Sequence, residues 1–340
     1  MIIARAPLRI SFVGGGTDLA DFYTRYPGRV ISTSIDKFVH VVLNRTPLIP
    51  KIAVRYGTTA EQVDHADQII HSRARAAFLD RNITKGIEMG SFSSLPSKTG
   101  LGSSSAFSVA LMKALSAYEG KKTDKREIAE AASRLEIELL NEPIGKQDQY
   151  AAAFGGFNIF QFNPDHTVDV CPVLLDYRIK LGLEDRILLF FTGIPRDASS
   201  VLTEQKSNID KKFETLKKMS DSVLNFEQLL LAADYQGLGK MLHEGWLLKK
   251  TLASNVTTSS IDKLYSAGMD SGAWGGKVLG AGGGGCVMFI ASPEKHAAIR
   301  ASLFVVALSI NLVDFQEIPV RFVESGAEVL HNSDHNIYLS

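Results

Sequence analysis

Pro96-Ser97-Lys98-Thr99-Gly100-Leu101-Gly102-Ser103-Ser104-Ser105-Ala106 is a flexible glycine-rich loop that runs directly into a helical pattern, with Phe107, Leu111, Ala114, Leu115 and Tyr118 on one face. Such a segment reads as a phosphate cradle. Glycines let backbone N–H groups approach an anion without Cβ interference, and the unpaired N–H groups and positive dipole end of a helix favour negative charge. The serines add hydroxyls that complete a phosphate shell or ligate Mg²⁺, which takes one or two protein oxygens plus substrate phosphates and water. A plain helix start of small residues, capped by Ser105, fits the same letters. The loop is not a Walker A motif: elsewhere Gly276-Lys277 is followed by Val278, and Ser271 stands where that motif needs its first glycine.

Two more glycine-rich elements flank this one. Gly280-Ala-Gly-Gly-Gly-Gly285 matches the dinucleotide pattern Gly-x-Gly-x-x-Gly, but Cys286 to Ala291 reads as a strand where a nicotinamide-binding unit requires a helix. Near the start, Ala6-Pro-Leu-Arg9-Ile-Ser-Phe-Val-Gly14-Gly15-Gly16-Thr17-Asp18 reads as a strand ending in a triple-glycine turn that carries an aspartate. A turn requiring positive φ explains that composition without any ligand.

The surrounding chain sets bounds on these elements. Its 340 residues correspond to roughly two domains. Lys plus Arg and Asp plus Glu each total 37, so the chain lacks the overall basic excess of a nucleic-acid or acidic-membrane binder. Hydrophobic residues at 45% and charged residues at 22% are those of a folded globular protein. Cys171 and Cys286 fit neither a disulfide framework nor a zinc-site spacing, which points to a reducing cytoplasm. Arg5 and Arg9 interrupt the place of a secretory signal, and no run approaches the ~18 apolar residues of a membrane span. The expected protein is neither exported nor membrane-embedded.

The first ninety residues read mainly as strands and turns, Val30 to Asn44 among them, with one helix expected over Ala60 to Leu79. After the cradle helix, Ile128, Ala132, Leu135 and Leu139 mark a second helix, capped by Asp124 and Glu127. A short third helix runs from about Gly145 to Phe154. Strands follow at Phe157 to Phe162 and Arg186 to Thr192, with a boundary near residue 185. Beyond it come helices around Ser199 to Met219, Val223 to Ala233, Leu238 to Thr251 and Ser259 to Met269, then strands at Lys277 to Gly280 and Cys286 to Ala291. Pro293 to Leu308 reads as a final helix and Ile310 to Val323 as another strand, an α+β arrangement without regular βαβ alternation. His331 and His335 are assigned to a flexible tail.

Taken in order, the three glycine-rich elements resemble the three signature motifs of the GHMP kinases, ATP-dependent small-molecule kinases. Pro-x-x-x-Gly-Leu-Gly-Ser-Ser-x-Ala is satisfied from Pro96 to Ala106, and the resemblance spans nearly the whole chain. It implies a two-domain fold, with a ribosomal protein S5 domain 2-like domain over residues 1–185 and a ferredoxin-like domain over 186–340. Galactokinases carry Gly-Glu-His-Thr-Asp where this chain has Gly14-Gly-Gly-Thr-Asp18, which removes bulk and polar contacts at the sugar end. The Gly-Gly-Gly-Thr-Asp form, Gly145-Lys-Gln-Asp148-Gln149-Tyr150, Thr192-Gly-Ile-Pro-Arg196-Asp and Gly275-Gly-Lys277-Val-Leu-Gly-Ala-Gly together look like the D-glycero-D-manno-heptose 7-phosphate kinases, with the fucokinases close by.

That resemblance implies transfer of the γ-phosphoryl group of Mg·ATP to the C1 hydroxyl of heptose 7-phosphate, in the making of nucleotide-activated heptose for surface polysaccharide. Asp148 aligns with the carboxylate beside the attacking hydroxyl, as base or orienting group, and Arg9 with the arginine that pairs with it. Gly100, Leu101, Gly102, Ser103, Ser104 and Ser105 would hold the ATP phosphates, with Ser104 also a metal ligand. Glu136 and Glu138 fall on opposite borders of the second helix's apolar stripe, and periodicity does not choose between them. Related galactokinases separate the Mg²⁺ glutamate from the catalytic aspartate by twelve positions, and 148 − 136 = 12 favours Glu136. Gly15, Gly16, Thr17, Asp18, Gly282 and Gly283 are implied on the sugar side. Arg196 is the cation for the 7-phosphate, with Lys146 and Lys277 as alternatives. The expected partners are ATP and a sugar phosphate, with no nucleic acid and no membrane, and a homodimer is compatible. A fucokinase, and a non-catalytic sensor on the same fold, are the rival readings.

Overall fold

In the computed structural model, which describes residues 1–194 and 198–333, the chain opens as a strand, β1 (Ile2–Val13), that pairs antiparallel with β2 (Gly28–Arg45). Alternation is weak in β1 because both its faces are covered from Ala6 onward, which is why it reads as a nearly continuous apolar run. A hairpin of β3 (Ile52–Tyr56) and β4 (Thr59–Val63) forms one edge, joined to β2 through β5 (Ile87–Ser93), which runs parallel to β3. The other half of β2 pairs with β6 (Phe157–Phe162), itself paired with β7 (Val168–Pro172).

The second sheet contains β8 (Ile187–Phe191), β9 (Gly275–Val278), β10 (Cys286–Ile290) and β11 (Gln316–Glu317), in the order β11-β8-β10-β9, all antiparallel. The last strand, β12 (Glu328–Asn332), returns to the first sheet and pairs with β1. A division near residue 185 therefore keeps the second sheet whole, while β12 and the Phe322 bridge to Ile35 lie with the first sheet.

The helices of the first part are α1 (Ala20–Tyr23), α2 (Ser72–Asp80), α3 (Ser103–Tyr118), α4 (Lys125–Ser133), α5 (Gln147–Phe154) and α6 (Tyr177–Glu184). Those of the second are α7 (Ala198–Ser207), α8 (Ile209–Leu231), α9 (Tyr235–Lys250), α10 (Ser259–Asp270) and α11 (His296–Ser309). The cradle helix α3 packs on β1 and β2, and α9 packs on β9. Phe12 of β1 stacks between Phe157 of β6 and Phe226 of α8, with ring centroids 5.4 and 5.3 Å away, so the apolar core runs from the first sheet into the second group of helices. Among the described residues no helix is long and apolar enough to cross a membrane.

Several expectations need correction. The helix expected over Ala60 to Leu79 is instead the edge strand β4, a one-turn helix at Ala66–Gln68, and α2. Pairing of Ile52 to Tyr56 with Thr59 to Val63 outweighs the loose helical spacing of Val63, Ile69, Ile70 and Phe78. The helices expected at Ser199 to Met219 and Val223 to Ala233 break at Asn208 instead, giving α7 and a long α8. Of Ile310 to Val323, only Gln316–Glu317 is a strand. His331 lies in β12 and pairs with Ile3, so it does not belong to a flexible tail; His335 lies outside the described residues.

The capping expectation for the second helix holds in detail. The Asp124 carboxylate accepts from the Glu127 N–H and the Glu127 carboxylate accepts from the Asp124 N–H, both at 2.8 Å. Replacing a capping aspartate by alanine costs about 0.5–2 kcal/mol, so Asp124→Ala should lower the urea midpoint by that energy divided by the m-value with kcat unchanged, since no cleft residue is touched. A midpoint equal to wild type would show that the cap does not contribute.

Candidate active site

The three glycine-rich elements converge on one cleft of about 310 Å³ between the two sheets. Its floor is set by Arg9. The Arg9 main-chain N–H donates to the Leu101 carbonyl at 3.0 Å, and its Nη1 donates to the Gly100 carbonyl at 2.6 Å. Its Nε and Nη2 fork onto the two carboxylate oxygens of Asp148, each at 2.8 Å. One side chain thus ties β1 to the cradle loop and to the first turn of α5. Gly102 caps α3 in a left-handed conformation at φ 76°, and a Cβ there would come within 3.3 Å of the Arg9 side chain. Glycine is required on both counts. From the other side, the Cys286 N–H donates to the Thr99 carbonyl at 2.8 Å, so the third glycine-rich element braces the first.

Gly100, Gly102, Ser103, Ser104 and Ser105 line the cleft, whereas Leu101 is buried beneath them. Ser105 does not cap the helix: its hydroxyl turns inward and donates to Glu136 at 2.8 Å. Glu136 also accepts from Ser108 at 2.9 Å, Gln149 at 2.5 Å and Arg73 at 2.9 Å, and it is fully buried, so it stands one hydrogen bond behind the cleft wall. Arg73 lines the cleft and reaches on to Glu142 at 2.6 Å. Burial pushes the Glu142 carboxyl above its ordinary range, opposed by Arg73 and reinforced by Glu136. Glu138, the other choice left by periodicity, is 69% exposed and faces Arg134. The segment Arg134–Leu139 is a π-helical turn, so a spacing of 100° per residue fails there.

Serine hydroxyls on the wall with carboxylates just behind them are the oxygen donors a hard cation takes when phosphates and water fill most of its shell. Among the described residues no group of three or more His, Cys, Asp or Glu could hold a metal by itself.

On the opposite wall, Gly15, Gly16 and Asp18 face the cleft. Asp18 accepts from the Gly16 N–H at 3.1 Å and from Gln147 through its main-chain N–H at 3.3 Å and its amide at 3.2 Å. A Cβ on Gly145 would lie 2.0 Å from the Asp18 carboxylate, which accounts for glycine at that position. Burial pushes the Asp18 carboxyl up to about 6, and the Asp148 charge adds to the rise. Thr17 does not face the cleft: its hydroxyl is buried between the Gly14 and Arg29 carbonyls, where it fixes the turn. Gly282 and Gly283 do not face it either, because they pack on the Asn255–Val256 loop and the Gly283 N–H donates to the Val256 carbonyl. Lys146 lies outside the cleft and pairs with Glu130 at 3.2 Å. Arg196 lies outside the described residues.

Residue-level reading passed over Arg73, Glu142, Gln147 and Lys249, all of which line the cleft. Gln147 was within reach as the neighbour of Asp148, whereas Arg73 was hidden in the misassigned helix. The wall is basic: Arg9, Arg73, Lys98, Lys249 and Lys277 face Asp18, Glu142 and Asp148. A neutral chain has concentrated cations where phosphates would bind.

Family models for the GHMP kinases N terminal domain and the GHMP kinases C terminal match residues 68–156 and 226–304. The chain belongs to the GHMP kinases. It is 29% identical over 316 residues to a D-glycero-alpha-D-manno-heptose 7-phosphate kinase of Campylobacter jejuni, covering 88% of this chain and 92% of that one. It is 24% identical over 341 residues to an L-fucokinase/L-fucose-1-P guanylyltransferase of Bacteroides fragilis, covering 88% of this chain and 35% of that one. A crystal structure of a D-glycero-D-manno-heptose 1-phosphate kinase from Bacteroides thetaiotaomicron superposes with a TM-score of 0.79 at 24% identity, covering 98% of this chain and 99% of that one. Lactococcus lactis galactokinase complexed with galactose gives 0.71 at 17% identity, covering 96% and 94%. As a GHMP kinase, this chain is a phosphotransferase.

The raised pKa of Asp18 makes a stability prediction for this kinase. A carboxyl whose folded pKa lies near 6, above its ordinary value of 3.8, contributes stability that is fully present below pH ~4 and lost as pH rises through ~6. At neutral pH the charged form is therefore a burden, on the order of 3 kcal/mol. Asp18→Asn should raise the melting temperature at pH 7.5, and the gain should vanish towards pH 4. A gain that stays constant across this range would show that burial is not its source.

Proposed function

We propose that this chain transfers the γ-phosphoryl group of ATP to the C1 hydroxyl of D-glycero-D-manno-heptose 7-phosphate, giving the 1,7-bisphosphate. The observation that carries the reading is the Arg9 fork, which fixes Asp148 at a set distance from the cradle loop. The Campylobacter jejuni relative, matched along most of both chains, favours this acceptor. The heptose 1-phosphate kinase fold match carries an acceptor name with the ester at the other end, and the Bacteroides fragilis relative names fucose. All three are sugars whose hydroxyls suit Asp18.

The ATP phosphates lie along the N–H groups at the start of α3, with Ser103 and Ser104 hydroxyls on their oxygens. Ser105 contributes its main-chain N–H, its hydroxyl being held by Glu136. Ser104 and Glu136 would hold Mg²⁺, which would supply charge neutralisation along the phosphates. Arg73 covers Glu136 in this structure and has to shift its hydrogen bonds towards Glu142 for Glu136 to reach an ion. The acceptor's C1 oxygen bonds to phosphorus as the bond from phosphorus to the β,γ-bridging oxygen breaks, and the hydroxyl proton passes to Asp148.

Both Asp148 oxygens already accept from Arg9, and the carboxylate keeps 25% of its side-chain surface open to the cleft. Its first task is therefore alignment, with proton transfer late, as expected for a loose phosphoryl-transfer transition state. Arg9 offsets charge on the transferred group.

Release of ADP measured with heptose 7-phosphate, heptose 1-phosphate, fucose, galactose and mannose tests the acceptor. Heptose 7-phosphate should give the highest kcat/KM, and strong turnover of an unphosphorylated hexose alone would overturn the choice. Asp148→Asn should lower kcat by roughly 10²–10⁴-fold while a non-hydrolysable ATP analogue still binds. Near-normal turnover would remove Asp148 from the reaction.

A further inference from the structure

Two buried lysines of the second half converge on the acceptor side of the cleft. Lys277, on β9, is 6% exposed, and its Nζ donates to the Ser11 and Phe12 carbonyls of β1 at 2.8 and 2.6 Å. Lys249, in the last turn of α9, is also 6% exposed and donates to the Gly280 carbonyl. Both line the main cleft together with Gly15, Gly16 and Asp18, and both also line a smaller apolar cavity of about 70 Å³ that opens beside it. Trp246, three residues before Lys249 on the same helix, lines that smaller cavity, and its indole N–H is buried without an acceptor among the described residues.

We infer that Lys277 and Lys249 form the seat for an anionic group carried by the acceptor, a phosphate monoester by its chemistry, on the wall shared by the two cavities. The inference rests on the reading of this kinase as one acting on a phosphorylated sugar, and it names the groups that select for the phosphate.

The charge arrangement supports it. Among the described residues, both hydrogen-bond partners of the Lys277 ammonium are neutral carbonyls. Burying a cation without a counter-charge is costly. Burial holds the Lys277 ammonium well below its ordinary range, and the Lys249 and Arg9 charges lower it further. A dianion placed between the two lysines reverses the repulsive part of that cost and accepts the third Lys277 proton. The main-chain bonds fix the Lys277 head, so the seat is pre-formed at the base of the strand that carries Arg9. Ser11, whose carbonyl holds Lys277, also lines the cleft, so the seat adjoins the groups proposed to hold the sugar. Lys146, the other lysine considered for this task, is tied to Glu130 away from the cleft.

The test uses the full chain with Lys249→Met as the primary variant. Lys277→Met is the second, because Lys277 also joins β9 to β1 and its loss can unfold the protein. Lys249→Met should raise KM for heptose 7-phosphate roughly 10–100-fold and leave KM for ATP unchanged, with the unphosphorylated heptose hardly affected. Equal losses for both heptoses, or for heptose 7-phosphate and ATP, would overturn the seat. Inorganic phosphate provides a readout that does not depend on turnover. With a non-hydrolysable ATP analogue filling the cradle, phosphate should bind wild type and fail to bind Lys249→Met. Absence of binding to wild type, or equal binding to both, overturns the inference. If wild type turns over only an unphosphorylated sugar yet binds phosphate through Lys249, the heptose 7-phosphate reading falls and the seat stands.

Discussion

The Arg9 guanidinium is the joint on which this molecule depends. It sits on the fully buried stretch of β1 and directs its donors to the cradle loop and to Asp148. A planar fork suits this task because it fixes direction as well as distance, which a lysine ammonium does not. The sites proposed for donor and acceptor lie on different elements, α3 and α5, and a rigid link between them would keep a reacting oxygen in line with a phosphorus atom. The stacked rings of Phe12, Phe157 and Phe226 hold the same strand from below. Apolar packing thus sets the position of the polar joint.

Much of this was legible in the sequence. The cradle loop and the triple-glycine turn announce themselves because glycine and serine patterns answer to backbone geometry, whereas Asp148 stood out only through the family resemblance. The Asp124–Glu127 box was legible for a similar reason, being local. What stayed hidden depends on partners far away in sequence. Thr59 to Val63 became a strand through pairing with Ile52 to Tyr56, and Glu328 to Asn332 became one through pairing with β1. Thr17, Gly282 and Gly283 belong to the right motifs but serve the turns themselves. The choice between Glu136 and Glu138 defeated periodicity because a π-helical turn changes the angle between successive side chains. Lys249 carries no local signal: a basic residue in the last turn of a helix is ordinary, and only the fold shows it to be buried against Gly280.

The cleft also stores unfavourable electrostatics. Asp18 and Lys277 are both buried in a way that disfavours their charged forms, and Glu142 shares that condition more mildly. Packing elsewhere offsets these costs, as expected where groups are pre-organised for a ligand that is not always present. The carboxylates cluster on the turn and on α5 while the two lysines come from the second half of the chain.

The position of β12 has a consequence for how the protein is made. Strand β1, which bears Arg9, needs β12 as its outer neighbour, and the two are separated by more than three hundred residues. During synthesis β1 emerges well before β12, and its outer backbone edge stays open until β12 has left the ribosome. Pairing at that separation carries a high loop-closure cost and slows folding. A polypeptide that stops short of β12 therefore leaves the Arg9 strand with one edge unpaired.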